Sequence, residues 1–264
     1  MRSKLIPVAI AALLATGPVV GVSAGPAKAQ ANRAERLTGA AGAELGARRV
    51  TRDLHRVFAA ARKDLVKLSR LDSVRAQDGP ACSSEIAARL GAPRFTVSGA
   101  TNRAGDVYCA SQPLTSPANL GDRPYFIRAI GTRGYAVGDF QLGRVAGAET
   151  LGMGFPVRGA NGVINGLVFS SMSVSWLDRH VGGKRPRGAL DVLVVDEHGT
   201  VLARAGKRQT RPGRNLAAKS LVRAMLANDE GIGEFRLAGR PVISAFETVL
   251  PTGGAVHVAV SVRR

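Results

Sequence analysis

The stretch ALDVLVVDEHGTVLAR, residues 189–204, has the pattern of two strands joined by a tight turn. β-branched and other apolar residues fill 189–195 and 200–204, which is typical of strands. Between them lies Asp196-Glu197-His198-Gly199, in which the glycine is free to adopt the positive φ that a short turn requires. The stretch therefore predicts a β-hairpin in an antiparallel sheet.

A hairpin of the same design occurs earlier in the chain. Residues 94–100, RFTVSGA, predict a strand, 101–106 a turn, and 107–110 the returning strand.

Each hairpin is followed by a segment with helical character and then by further strands. In the first module these are a helix over 122–130, begun by the capping acid Asp122 and by Pro124, and strands over 135–140, 150–157 and 166–173 with an Asn161-Gly162 turn. In the second they are a helix over 215–226, capped by Asn215, and strands over 234–237, 242–249 and 255–262. We therefore expect a duplicated α+β module, with helices laid on antiparallel sheets.

A long amphipathic helix is predicted before the first hairpin. Residues 31–75 contain no proline, and apolar side chains recur at three- and four-residue spacing while basic residues occupy other faces. We expect the turn Asp78-Gly79-Pro80 to end this helix and a short helical segment to follow over 84–90.

Composition narrows the class of protein. The chain has 264 residues, of which 45% are hydrophobic, so wholesale disorder and collagen are excluded, while 32 glycines and 13 prolines argue against a helical bundle. Lys and Arg number 37 against 19 acidic residues, for a formal net charge of +18. That charge favours anionic partners such as small carboxylates or membrane headgroups.

The N-terminus has the features of a secretion signal. Arg2 and Lys4 precede an uncharged stretch over 5–27, and Ala27-Lys28-Ala29 places small residues where a signal peptidase reads them. We predict a signal peptide over 1–29 and a periplasmic or secreted protein. The alternative is an uncleaved anchor in the inner membrane, since the uncharged stretch is long enough to span a bilayer.

Export also bears on Cys82 and Cys109, the only two cysteines in the sequence. Outside the cytoplasm they meet oxidising machinery, and we predict a disulfide between them. Two separate buried thiols are the alternative. A metal site is the weaker interpretation, because two cysteines without nearby histidines do not complete one.

A series of short motifs, taken in order, resembles the double Cache domain of extracytoplasmic sensors. These are Asp122-Arg123-Pro124-Tyr125-Phe126, Gly134-Tyr135-Ala136-Val137-Gly138-Asp139, Gly143-Arg144, Phe155-Pro156-Val157 and Gly162-Val163-Ile164-Asn165-Gly166-Leu167-Val168. The resemblance implies a long helix over 30–78 and two PAS-like modules, a membrane-distal one over 79–182 and a membrane-proximal one over 183–264. It further implies that the distal module binds a ligand and that the proximal module serves as a stalk or relay.

Physical chemistry gives the matched positions plausible roles. Arg123 carries a planar fork of donors that fits a carboxylate, and Tyr125 and Phe126 supply apolar walls. Asp139 offers a partner for a cationic or hydroxyl group, and Arg144 is a further candidate. The alternatives are that Arg123 pairs with Asp122 or Asp139, that the aromatic residues are core, and that Arg144 is a solvated turn residue.

The last candidate, Ser171, bears on the class of ligand. In the amino-acid-binding branch of the family, an acid on the strand after the last turn holds the ligand's amino group, and Ser171 stands about where that acid is expected. An ordinary α-amino acid is therefore a poor fit. We expect a ligand that carries a carboxylate and no ammonium, such as a small organic acid.

Catalysis is not predicted, because no phosphate-binding loop, nucleophile elbow or zinc-protease motif occurs and the four histidines are far apart in sequence. No cofactor is predicted either. The basic stretches 183–187 and 207–211 lack interleaved aromatic residues, so we interpret them as solvated loops and expect no nucleic-acid partner.

No apolar span follows Val262, so we expect a sensor without its own output domain that acts through a separate transmembrane receptor or kinase. The alternative function is a basic interaction protein. Such a protein would dock on an anionic membrane or a regulatory protein, and its pocket would be vestigial.

Overall fold

The computed structural model describes residues 25–89, 93–206, 210–249 and 256–264. Residues 1–24, which hold most of the predicted signal peptide, lie outside the described residues, as do 207–209 of the second basic stretch. The first described element is the long helix α1, Gly25–Leu68. Its buried face includes Leu54, Phe58 and Leu65, as the apolar spacing predicted.

The end of the long helix differs from the prediction. Helix α1 stops at Leu68, and after a turn the chain forms the short helix α2, Asp72–Arg75. The motif Asp78-Gly79-Pro80 does not end a helix but begins α3, Gly79–Arg89, where Asp78 Oδ1 accepts a hydrogen bond from the Ala81 amide at 3.2 Å. The same residue types serve turns and helix starts, because a short acidic side chain satisfies free amides in both.

A first five-stranded antiparallel sheet follows. Its elements are β1 (Phe95–Asn102), β2 (Val107–Ala110), α4 (Pro124–Thr132), β3 (Ala136–Leu142), β4 (Glu149–Arg158) and β5 (Ile164–Ser173). The strand order is β2-β1-β5-β4-β3. We call these strands with α4 the first module.

The second sheet repeats this plan. After helix α5 (Val174–Gly183) come β6 (Asp191–Asp196), β7 (Val201–Gly206), α6 (Ser220–Ala227), β8 (Glu230–Leu237), β9 (Arg240–Thr248) and β10 (Val256–Arg263). The order β7-β6-β10-β9-β8 equals that of the first sheet when strands are counted from each hairpin. We call these strands with α6 the second module. The duplicated α+β arrangement is thereby confirmed, and Gly199 adopts the predicted positive φ of 76°.

Two predicted helix caps are wrong. Helix α4 has Arg123 at its N-cap, while the Asp122 carboxylate pairs with Arg144 instead. Helix α6 begins at Ser220, and Asn215 bonds to the His198 carbonyl at 2.7 Å, far from that helix start. In both cases a tertiary partner engages the side chain that local reasoning assigned to a cap.

Helix α5 has no counterpart in the sequence prediction. It starts directly where β5 ends, with the Ser173 hydroxyl accepting a hydrogen bond from the Trp176 amide at 3.2 Å. No glycine or proline separates the strand from the helix, so the sequence lacks the residues that usually mark such a boundary.

Each sheet buries both faces. One face of both sheets packs in a shared core with α1, and the opposite faces are covered by α4 and α6 respectively. Burying one such leucine or phenylalanine contributes about 1.5–3 kcal/mol relative to leaving it exposed.

The predicted disulfide is present. Cys82 of α3 bonds to Cys109 of β2, with the Cα atoms 5.9 Å apart, so α3 is stapled to the edge of the first sheet.

Candidate functional site

The ring of Tyr125 lies flat against a floor of glycines in the first sheet. Tyr125 is 2% exposed. A Cβ atom on Gly152 would stand only 2.3 Å from Tyr125 Cε1, and one on Gly154 would stand 3.2 Å from Cδ2. Gly138 of β3 is similarly close, at 3.2 Å from Tyr125 Cβ. A side chain at Gly152 would therefore displace the ring, and one at Gly138 or Gly154 would crowd it.

Arg123 stands beside this ring, at the N-terminal end of α4. Its side chain is 19% exposed, and Nε lies 3.9 Å from Asp122 Oδ1. Nη1 donates to Gln141 Oε1 at the long distance of 3.4 Å. Nε is buried and, among the described residues, has no hydrogen-bond partner. A buried donor without an acceptor costs about 1–3 kcal/mol, so this atom is suited to receive one.

Three further polar side chains share the face on which Tyr125 rests. Gln141 and Thr150 are paired across β3 and β4, and Ser171 is paired with Gly152 across β4 and β5. Because side chains alternate along a strand, Ser171 lies on the same face as Phe169, which packs with Tyr125. Thr150 Oγ1 is buried and also lacks a partner in the described part of the chain. We call this set the Arg123 site: Arg123, Tyr125, Gln141, Thr150 and Ser171.

Sequence reasoning found three members of this site and missed two. Arg123, Tyr125 and Ser171 were candidates, while Gln141 and Thr150 were not. Two-residue alternation from Gly152 would have placed Thr150 on this face, but no local motif marks it. Phe126, the second aromatic candidate, is 6% exposed and belongs to the core beneath α4.

Arg144 lies at the rim and is paired. Its guanidinium donates to both oxygens of Asp122, at 2.9 and 3.0 Å, and this hydrogen-bonded partner lowers the pKa of Asp122. Gln112 donates to the Val145 carbonyl at 3.2 Å in the same region. These two contacts join the β3–β4 turn to the segment between β2 and α4. We call them the rim latch: Gln112, Asp122, Arg144 and Val145.

The structure places Asp139 in a different cluster. Its carboxylate lies 3.5 Å from Arg128 and 3.5 Å from His198, which belongs to the β6–β7 turn of the second module. Burial raises the pKa of Asp139, while Arg128 and then His198 oppose that shift. Arg128 also bonds to Glu197 and donates to the Val137 carbonyl at 2.9 Å.

This cluster joins the two modules. Asp139, Glu197 and His198 bring their ligand atoms within 4.8 Å of one another, a spacing that suits a metal ion. The Arg128 guanidinium already supplies positive charge there, so the geometry is that of an ion-pair network. A hydrogen bond at 3.1 Å from the Phe140 amide to Asp196 Oδ2 adds a second link between the modules. Sequence reasoning assigned no role to His198, because its partner is distant along the chain.

No protein-family model matches the sequence, and a search of curated proteins found no match. Solved structures do match. The extracellular domain of rpHK1S-Z16, described as a histidine kinase, superposes with a TM-score of 0.65 at 17% identity, over 89% of this chain and 96% of that chain. The ligand-binding domain of the Pseudomonas fluorescens chemoreceptor CtaA, solved with L-isoleucine, gives 0.65 at 13% identity, over 92% and 97%. The chain has the double Cache fold.

A third double Cache structure extends the comparison. The ligand-binding domain of the Pseudomonas aeruginosa PAO1 amino acid chemoreceptor PctB, in complex with L-Arg, matches with a TM-score of 0.59 at 14% identity, over 89% of this chain and 96% of that chain. At these identities the likeness concerns the fold. Among the described residues of this double Cache chain, no helix is both long enough and apolar enough to span a bilayer.

Proposed function

We propose that this chain is an extracytoplasmic, non-enzymatic sensor whose first module binds a small carboxylate in the Arg123 site. The observation that carries the proposal is the buried Nε of Arg123, which has no hydrogen-bond partner among the described residues, on the same side of the sheet as the Thr150 hydroxyl, which also has none. A carboxylate accepts hydrogen bonds from both, and charge-assisted bonds to a guanidinium are about twice as strong as neutral ones.

The other members of the site define the rest of the ligand. Tyr125 supplies an apolar wall whose hydroxyl stays protonated, because burial raises its pKa. Gln141 and Ser171 offer further hydrogen-bonding groups for hydroxyl or carbonyl substituents. A compact, polar organic acid matches this set better than a long apolar one.

The site also disfavours a ligand ammonium. Strand β5, INGLVFSSMS, carries no acidic residue, and Asp139 is engaged with Arg128 in the cluster between the modules. The chemoreceptor domains with this fold were solved with amino acids, and this chain lacks the acid that the resemblance implies for an amino group. We therefore propose an organic acid without an amino group.

Helix α4 supplies a physical route for a signal. It follows Arg123 directly and carries Arg128, which bonds to Glu197 of the second module. A shift of α4 on ligand binding would alter that contact. We propose that the second module passes this change to a separate receptor or kinase. The proposed compartment is the periplasm or the exterior of the cell, which the Cys82–Cys109 disulfide supports.

Calorimetry with two Arg123 variants tests the proposal. A thermal-shift panel of succinate, malate, citrate, pyruvate and L-leucine first identifies an acid that stabilises the protein. For that acid, Arg123→Ala should weaken binding by about 2–5 kcal/mol, because it strands the ligand carboxylate, and Arg123→Lys should restore little.

The matched control is Arg223→Ala, which removes one exposed positive charge from α6. It should leave the affinity unchanged. Unchanged affinity in a folded Arg123→Ala protein, or no stabilisation by any acid of the panel at millimolar concentration, would overturn the proposal.

A further inference from the structure

The second module contains an open cavity of about 410 Å³. It is surrounded by strands β6 and β7, the segment from Thr210 to Lys219, the first turn of α6, and the end of β8 with the β8–β9 turn, residues 236–239. Its volume lies within the range of about 300–1,000 Å³ that is usual for small-molecule sites. We call this space the second-module cavity. It is separate from the Arg123 site, which lies in the other sheet.

The lining carries a large excess of positive charge. It includes four cationic side chains and a single carboxylate, Asp191. That carboxylate is paired with Arg204, whose Nε and Nη2 donate to its two oxygens at 2.9 and 3.0 Å. Both partners are buried, with side chains 8% and 3% exposed, and Arg204 also donates to the Thr210 hydroxyl at 2.6 Å. The pair is therefore a fixed, neutral part of the wall.

The remaining three cations of the lining are exposed to solvent. Arg214, Lys219 and Arg236 have no acidic partner in the ranges that the structure describes, and Arg236 donates only to the Gly239 carbonyl at 2.9 Å. Positive side chains gathered around a concave site attract an anion, because the low-dielectric walls concentrate their field. With Asp191 occupied, the lining offers no free carboxylate for a ligand ammonium.

Much of the remaining lining is apolar. It includes Leu193, Leu216, Leu221, Val222 and Leu237, of which Leu193 and Val222 are 4% and 1% exposed, while Thr210 and Ser220 add hydroxyl groups. A bare inorganic anion would leave these walls in contact with water. A ligand with a hydrocarbon body would cover them and gain the free energy of apolar burial.

We propose that the second-module cavity binds an amphiphilic carboxylate, with its hydrocarbon body against the leucine walls and its carboxylate among Arg214, Lys219 and Arg236. The cavity is open to solvent. Among the described residues, no hydrogen bond joins the β8–β9 turn to the 210–219 segment. In the first module the rim latch makes the corresponding connection.

Calorimetry with 3-phenylpropionate as the probe tests this site on the full chain. We expect wild type to bind the probe and to bind the neutral 3-phenylpropanamide at least about tenfold more weakly, since the amide lacks the charge. The double variant Arg214→Gln/Arg236→Gln should lose at least about tenfold in affinity for the probe. Arg223→Gln, which removes an α6 charge outside the lining, is the matched control and should bind as wild type does.

The outcomes separate this site from the Arg123 site. In an Arg123→Ala background, where the first-module site is removed, Arg214→Gln/Arg236→Gln should still lower the affinity for 3-phenylpropionate at least about tenfold, whatever the first module binds. Equal affinity for acid and amide, or unchanged affinity in the folded double variant, would overturn the proposal. Two further results would also overturn the proposal. One is inorganic phosphate binding as tightly as the probe, because the apolar walls would then have no role. The other is the absence of probe binding at millimolar concentration.

Discussion

The two modules share one strand order but differ in the side chain that occupies the space between the sheet and its covering helix. In the first module, Tyr125 of α4 reaches down to Gly152 and Gly154 and fills that space. In the second module the aromatic residue belongs to the sheet: Phe246 of β9 packs beneath α6 with Val222 and Met225. The same topology therefore accommodates two internal surfaces, and side-chain size at a few strand positions decides between them.

The rims of the two modules differ as well. The first is closed by the rim latch and stapled by the Cys82–Cys109 disulfide. The second has no cysteine, and its β8–β9 turn leaves the second-module cavity open. The first module holds the partly buried Arg123 side chain beside the buried ring of Tyr125, and the second carries an open cavity with four cationic side chains in its lining.

The largest expected effect is removal of the disulfide. The Cys82→Ala/Cys109→Ala variant should lose about 3 kcal/mol of unfolding free energy, because the unfolded chain regains the entropy of the loop that the bond closes. Denaturant unfolding measures the loss. Hydrogen exchange should locate it in β2 and α3, and equal acceleration in β7 would show that the modules do not differ in this respect.

The glycine floor gives the next effect. Gly152→Ala places a methyl group against the Tyr125 ring and should cost about 1–3 kcal/mol of stability, as overpacking usually does. Gly131→Ala is the matched control, since its new methyl group would meet nothing within 4 Å and it lies in α4. That variant should be neutral or more stable by up to about 1 kcal/mol. Equal thermal stability of the two variants would contradict the close approach of Tyr125.

Opening the rim latch should have a smaller effect on stability. Asp122 and Arg144 have side chains 61% and 40% exposed, so solvent screens their interaction, and Arg144→Ala should change the unfolding free energy by less than about 1 kcal/mol. Hydrogen exchange should nevertheless accelerate in the β3–β4 turn and remain unchanged in the β8–β9 turn. Exchange that is unaltered at 143–148 would show that the latch does not hold this rim.

The smallest effect concerns pH and the second module. Burial lowers the pKa of His257 below its ordinary value of 6.5, although Asp229 and Asp196 oppose the shift. The unfolded chain therefore binds more protons just below pH 6.5, and this contribution to stability is present above that pH and lost as pH falls through the lowered pKa.

Melting curves between about pH 7 and pH 5 test this sign. His257→Asn should flatten the decline in stability on acidification. His55→Gln, at an exposed position of α1, should leave the decline as in wild type. An unchanged pH profile in the His257 variant would assign the decline to other groups.

Prediction from sequence was good for strands and less good for helix ends. Strand β2 was predicted at its observed bounds, Val107–Ala110, because apolar and β-branched residues between turn residues mark a strand locally. Helix α5 was missed, since it follows β5 directly, with no glycine or proline to mark the boundary. The start of α6 was misplaced because Asn215, a good capping residue, is engaged by the His198 carbonyl.

The candidate site shows the same division. Arg123 and Tyr125 were found because they lie together in one short motif at the start of α4. Asp139 was grouped with them, but the structure places it with Arg128 and His198. Strand β3 shifts register between Val137 and Phe140, so regular alternation does not hold at Asp139.

The sequence by itself determined the α+β class, the paired hairpins, the long helix and the two cysteines able to form a disulfide. Each of these depends on periodicity, turn residues or residue counts, which are local properties of the chain. Only the tertiary structure decided that Arg144 takes both oxygens of Asp122 while Arg123 Nε has no hydrogen-bond partner in the described residues. It also decided that Arg204 neutralises Asp191 and leaves three cations around a cavity. Whether a charge is paired depends on which distant residue folds against it, and burial then sets what an unpaired group costs.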